Sequence, residues 1–132
     1  MKALDRWHEL MERGTSEGLR ELLHEDCVFW SPVVHTPQQG RDISFAYLSA
    51  AQQVFNNDFR YVREVVQDNH AILEFECVMD DIKINGVDMI TAEGDQIIEF
   101  KVMIRPLKAV NKVHEKMMAM LEQMKAAAQA KG

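Results

Sequence analysis

Cysteine is scarce in this chain of 132 residues: Cys27 and Cys77 are the only two, far apart and in no metal-ligand or redox spacing. They read as buried free thiols in a reducing cytoplasm rather than as a disulfide framework. Basic charge is short as well, with 15 Lys and Arg against 21 Asp and Glu, a formal net charge of −6. A protein that grips phosphate backbones shows a basic stripe, and none is visible. Nucleic acid and an anionic membrane surface are therefore disfavoured as partners. No apolar run is long enough to cross a bilayer. The opening stretch, MKALDRWHELMERG, carries charges at every turn, unlike the apolar core of a signal peptide. A Gly-rich phosphate loop is missing, so no cofactor is expected. His8, His24, His35, His70 and His114 do not pair with acidic companions at ligand spacing, so no metal is expected either.

What is present is enough apolar material for one domain, at 47% hydrophobic residues. Leu4, Trp7, Leu10 and Met11 recur at helical spacing, with Arg6, Glu9, Glu12 and Arg13 on the other side. Gly14 stands where a helix ends. Thr15 and Ser16 offer an N-cap for a second, short helix carrying Leu19, Leu22 and Leu23. Cys27–Ser31 is a β-rich run stopped by Pro32, and the segment from Val33 to Gly40 reads as a loop. Asp42 is placed to cap a third helix whose apolar face holds Ile43, Ala46, Tyr47, Ala50 and Val54.

From Phe59 to Pro106 the period changes to two. Arg60–Val66, Ala71–Val78, Ile82–Thr91 and Gln96–Arg105 predict four antiparallel strands. Asp68-Asn69, Asp80-Asp81 and Glu93-Gly94-Asp95 supply the turns between them. Asn85-Gly86 is a hairpin signal inside a strand; its placement as a bulge or kink near the start of the third of these strands rests partly on the family resemblance given below. In the last strand Ile98, Phe100, Val102 and Ile104 form a dry face against Glu99, Lys101, Met103 and Arg105. After Pro106 a helical stripe returns in Leu107, Val110, Met117, Leu121 and Met124, with His114 in it. The expected fold is α+β: a curled antiparallel sheet with helices packed on its concave side. Residues 1–106 make this domain. Residues 107–132 form a C-terminal helical extension packing on it or on a dimer partner.

Three strings, WHELMERGTSEGLRELLHEDCVFWSPVV, GRDISFAYLSAAQQVF and NGVDMITAEGDQIIEFKVMIRPL, occur in an order and spacing that resemble the nuclear-transport-factor-2-like superfamily. The resemblance is to its SnoaL-like (polyketide-cyclase-like) and ketosteroid-isomerase-like branch. It implies a curved antiparallel sheet forming a cone-shaped half-barrel around an apolar cavity, packed by N-terminal helices, and, commonly, dimerisation through the outer sheet face. It fits several functions, because that superfamily hosts isomerases, cyclases, dehydratases, epoxide hydrolases and non-catalytic modules. Ketosteroid isomerases place a tyrosine on the first helix, a base aspartate before the proline ending the first strand, and a protonated aspartate in a later strand. The matching positions here are Trp7, Ser31 and Asp88. A serine hydroxyl is too weak a base to take a carbon-bound proton, so that isomerisation is not expected. The epoxide-hydrolase pattern fails too, because Gly86 stands where its Arg is required.

Asp88 is the most informative polar residue. Strand parity puts it on a face with Ile84, Gly86 and Ile90, where a carboxylate is costly unless partnered or protonated. It is the candidate catalytic acid. Trp7, Met11, Phe29, Ser31, Tyr47 and Phe100 are expected around the same cavity, with His35 at its mouth. Each also has a simpler reading: core aromatics, a serine satisfying nearby backbone, a solvated loop histidine. The partner implied is a small, mainly apolar molecule, handled by acid–base chemistry of isomerase, cyclase or dehydratase type. The alternative is a non-catalytic binding or dimerisation module.

Overall fold

Leu4, Trp7 and Leu10 form the buried side of α1 (Lys2–Arg13) in the computed structural model, which describes residues 1–131. Gly14 closes that helix in the left-handed conformation, its N–H donating to the carbonyls of Leu10 and Met11. The second helix is shorter than expected. α2 covers Leu19–Leu22, and Leu23 already belongs to strand β1 (Leu23–Trp30). Gly18 takes the N-cap position, while the Thr15 hydroxyl accepts the Glu17 N–H at 3.0 Å.

The expected loop after β1 contains a two-residue strand, β2 (Gln38–Gln39), paired antiparallel with β1. Helix α3 (Arg41–Val54) starts from Gly40, and Asp42 pairs with Arg20 instead of capping it. Its buried side carries Ser44, Leu48, Ser49 and Ala50, whereas Ile43, expected inward, is 39% exposed. The helix can turn a serine to the core because Ser44 Oγ donates to the Cys27 carbonyl at 3.1 Å.

β3 (Arg60–Gln67), β4 (His70–Met79), β5 (Ile82–Glu93) and β6 (Gln96–Arg105) form the antiparallel meander. β1 lies beside β6 in parallel, so the curved six-stranded sheet runs β2-β1-β6-β5-β4-β3 and is not wholly antiparallel. It does not close into a barrel. Asp80 and Asp81, at φ 49° and 67°, make the left-handed pair that the tight β4–β5 turn needs.

Asn85-Gly86 carries no bulge. Gly86 pairs with Phe75 and with Ile104 in unbroken register. Space, not a turn, demands the glycine: a Cβ here would overlap the Phe75 ring and come within 2.8 Å of Ile104 Cγ2. The ladder is irregular elsewhere, between Tyr61 and Arg63 on β3 and between Thr91 and Ala92 on β5. The second irregularity leaves Ile98 as an extra residue on β6. Ile97 and Phe100 are buried, and Ile98, expected on the dry face, is only half-buried.

Helix α4 (Leu107–Lys131) returns over the inner face of the sheet. Its Ala109 and Val113 are buried with Phe75, Cys77, Met79 and Ile84. Lys112 and Lys116 reach Asp80 in the β4–β5 turn at 3.5 and 3.1 Å. Gly132, the end of the expected extension, lies outside the described residues.

Candidate functional site

The sheet, α1, α3, α4 and the loop after β1 enclose a cavity of about 70 Å³. A water needs roughly 10–15 Å³ of such space, so the cavity holds a few waters or a small organic molecule. Trp7 and Met11 come to it from α1, Phe29 and Ser31 from the end of β1, Tyr47 from α3, and Asp88 and Phe100 from the sheet. Phe29 stacks on Tyr47 with centroids 5.3 Å apart, and Trp7 meets Phe100 edge-on at 4.9 Å. These rings keep the space apolar. His35 does not border the cavity. It is exposed, because the loop doubles back to set Gln38 and Gln39 beside β1. The histidine that does border it is His114, from α4.

Asp88 is the buried carboxyl of this site, 6% exposed. Tyr61 donates its hydroxyl proton to Asp88 Oδ2 at 2.6 Å, and the Trp7 indole N–H donates to the Tyr61 oxygen at 2.9 Å. With Asp88 ionised, the direction of this chain is forced. An indole nitrogen can only donate, so the Tyr61 oxygen accepts from it and its single proton goes to Asp88. Oδ1 is the oxygen left for the cavity.

Burial pushes the Asp88 carboxyl up to about 7, against a smaller lowering by the Tyr61 hydrogen bond. Tyr61 is held well above its ordinary value of 10, first by burial and then by the nearby Asp88 charge. The sequence did not single out Tyr61. Its strand is otherwise exposed, and the bulge after it breaks the alternation that marks an inward residue.

The remaining candidates have local partners. Ser31 Oγ accepts the backbone N–H groups of Val33 and Val34 at 3.1 and 3.3 Å, which shapes the loop. Burial pushes the Cys27 and Cys77 thiols up to about 11, so neither offers a thiolate at neutral pH. Glu99 and Lys101 face outward around Trp30: its indole donates to Glu99 Oε2 at 3.1 Å, and Lys101 Nζ lies 4.5 Å from the ring. Among the described residues no three His, Cys, Asp or Glu side chains converge as a metal site.

A family model of the SnoaL-like domain matches residues 4–100. The chain belongs to the SnoaL-like family. Among solved structures, this SnoaL-like protein is similar to a steroid delta-isomerase from Pseudomonas aeruginosa, with 34% identity and a TM-score of 0.89. That alignment covers 94% of this chain and 92% of the other. A bacterial protein with a cystatin-like fold from Silicibacter pomeroyi DSS-3 is 35% identical over 89% of this chain and 83% of the other, with a TM-score of 0.81. A putative polyketide cyclase from Sinorhizobium meliloti is 11% identical over 78% of this chain and 94% of the other. At a TM-score of 0.65, it shares the fold. No curated protein matches the chain. The fold is that of the nuclear-transport-factor-2-like superfamily, and the family match ends before α4 begins.

Proposed function

We propose that this SnoaL-like protein binds a small, mainly apolar carbonyl compound in its cavity and moves a proton on it through Asp88. The observation that carries this reading is the buried Asp88 itself, with one oxygen held by Tyr61 and the other left to an apolar cavity. A carboxyl at about 7 is close to the best value for proton transfer at neutral pH. Its acid form donates to a ligand oxygen, and its carboxylate form takes a proton from carbon or from a hydroxyl. Those steps belong to isomerase-, cyclase- and dehydratase-type reactions.

The reaction of the steroid delta-isomerase relative is not carried over. Ser31 stands where the resemblance calls for the carboxylate base, and its oxygen is engaged with Val33 and Val34. We also divide the chain at Pro106, with residues 107–132 as an extension whose α4 supplies His114, Met117, Met118 and Leu121 to the cavity roof. Two buried free thiols support a reducing, cytoplasmic setting. Among the described residues no helix is long and apolar enough to cross a membrane. Val65, Ile72 and Met103, exposed on the outer sheet face, support a homodimer joined there.

The test is solvent-deuterium exchange into cyclohexanone and 2-cyclohexenone, followed by proton NMR. Exchange by the wild type that falls at least about 100-fold in Asp88→Asn supports proton transfer by this group. A second reading, a non-catalytic binding module, draws on the shortage of a second polar group aimed into the cavity. Absence of exchange in the wild type, with binding of either ketone unchanged by Asp88→Asn, establishes that reading instead.

A further inference from the structure

The cavity is too small for most metabolites, but it is not isolated. A groove of about 540 Å³ runs along the outside of α1, past the end of α3 to the start of β3. Met11, Gln52, Phe55 and Phe59 border both spaces, so they form the partition between them. Tyr61, which holds Asp88, lines the groove. Together the two spaces fall within the range of roughly 300–1,000 Å³ usual for small-molecule sites, and the cavity alone falls far below it.

The members of the partition are not equally held. Phe59 stacks on Phe75 at 5.0 Å and Phe55 meets Phe75 edge-on at 5.9 Å. Gln52 Nε2 donates to the Thr15 carbonyl at 3.1 Å, which ties α3 to the segment after α1. Among the described residues Met11 has no aromatic or hydrogen-bond anchor, only packing against the buried cluster, and an unbranched thioether adapts its shape at little cost. The roof is the poorer way in. α4 is fixed by buried Ala109 and Val113 and by Lys112 and Lys116 on Asp80.

We infer that Met11 is a movable partition, and that the ligand is an amphipathic molecule reaching from Asp88 through it into the groove. This rests on the proposed role of Asp88 and names the shape of the substrate. The groove also sets the polarity of the outer end. Its basic side chains are paired with carboxylates, His8 with Glu64 and Arg60 with Glu76, both at 2.8 Å. Its acidic side chains, Glu12 and Asp58, have no ion-pair partner among the described residues. The head group is therefore a hydrogen-bond donor, a hydroxyl or an amine.

The experiment uses the whole protein labelled with carbon-13 at Asp carboxyl, Met methyl and His ring positions. Butan-1-ol, octan-1-ol, octylamine and octanoate are the probes. Butan-1-ol is expected to shift Asp88 alone. Octan-1-ol and octylamine are expected to shift Asp88, Met11 and His8 together, with octanoate at least about tenfold weaker in affinity. Met11→Trp should abolish the octan-1-ol response at Asp88 while keeping that of butan-1-ol, and Met11→Ala should tighten octan-1-ol binding. If octan-1-ol shifts Asp88 but neither Met11 nor His8, the partition is not crossed and this inference fails, while Asp88 remains the ligand-facing acid. Shifts at Met11 and His8 without Asp88 overturn both. So does the absence of any shift at millimolar probe.

Discussion

Tyr61 and Asp88, separated by 27 positions in the chain, meet at 2.6 Å between the phenol oxygen and Oδ2. The bond is the centre of a chain that starts at the Trp7 indole 2.9 Å away. It decides which oxygen of Asp88 is free for the cavity, and it partly offsets the desolvation that raises the carboxyl. Four predictions concern this pair and the faces around it.

Tyr61→Phe removes the one hydrogen bond that lowers the Asp88 carboxyl, so its midpoint should move further above 7. The Trp7 N–H also loses its acceptor. Leaving these buried groups without a partner should cost about 1–3 kcal/mol in urea unfolding. A carbon-13 titration that places Asp88 at or below its wild-type midpoint in Tyr61→Phe would contradict the assignment.

The carboxyl is raised from an ordinary 3.8 to about 7, so between those values the folded chain holds a proton that the unfolded chain has released. Unfolding free energy should therefore fall as pH rises from about 4 and level off above about 7. At roughly 1.4 kcal/mol per pH unit the loss is on the order of 4 kcal/mol. Asp88→Asn should be the more stable protein at pH 8 and should lose this slope. An unchanged slope in the variant would show that another group controls it.

Turnover of 3-oxo-Δ5-steroids should be at least about 100-fold below that of an enzyme with a carboxylate base, because Ser31 offers only a hydroxyl. Ser31→Asp should create a trace of it if the cavity admits a steroid. The spectroscopic assay for the conjugated product decides. Wild-type activity comparable to a dedicated isomerase would mean that another group supplies the base.

A dimer through the outer sheet face should place Ile72 and Met103, 40% and 56% exposed, against a second copy. Light scattering at micromolar concentration should give twice the chain mass. Met103→Lys combined with Ile72→Lys should reduce it to the monomer with the fold intact by circular dichroism. A monomer mass for the wild type would remove the dimer.

Much of this molecule is local in origin, and local patterns are readable in the chain. The three- and four-residue recurrence of Leu4, Trp7 and Leu10 dictates a helix face whatever it packs on. Alternation through Ile84, Gly86, Asp88 and Ile90 turns a carboxyl inward because successive strand residues point to opposite sides. What only the tertiary structure decided depends on contacts between distant segments. Tyr61 joins Asp88 because β3 lies next to β4 and β4 next to β5, and a bulge hides its inward direction from any period-two reading. Gly86 looked like a turn residue, yet it is required by the Phe75 ring across the strand, a clash that no local pattern contains. The histidine at the cavity is His114 and not His35, because α4 folds back over the sheet while β2 carries the nearer loop into solvent. Periodicity sets the faces of elements, and the packing of non-adjacent elements sets which side chains share a space.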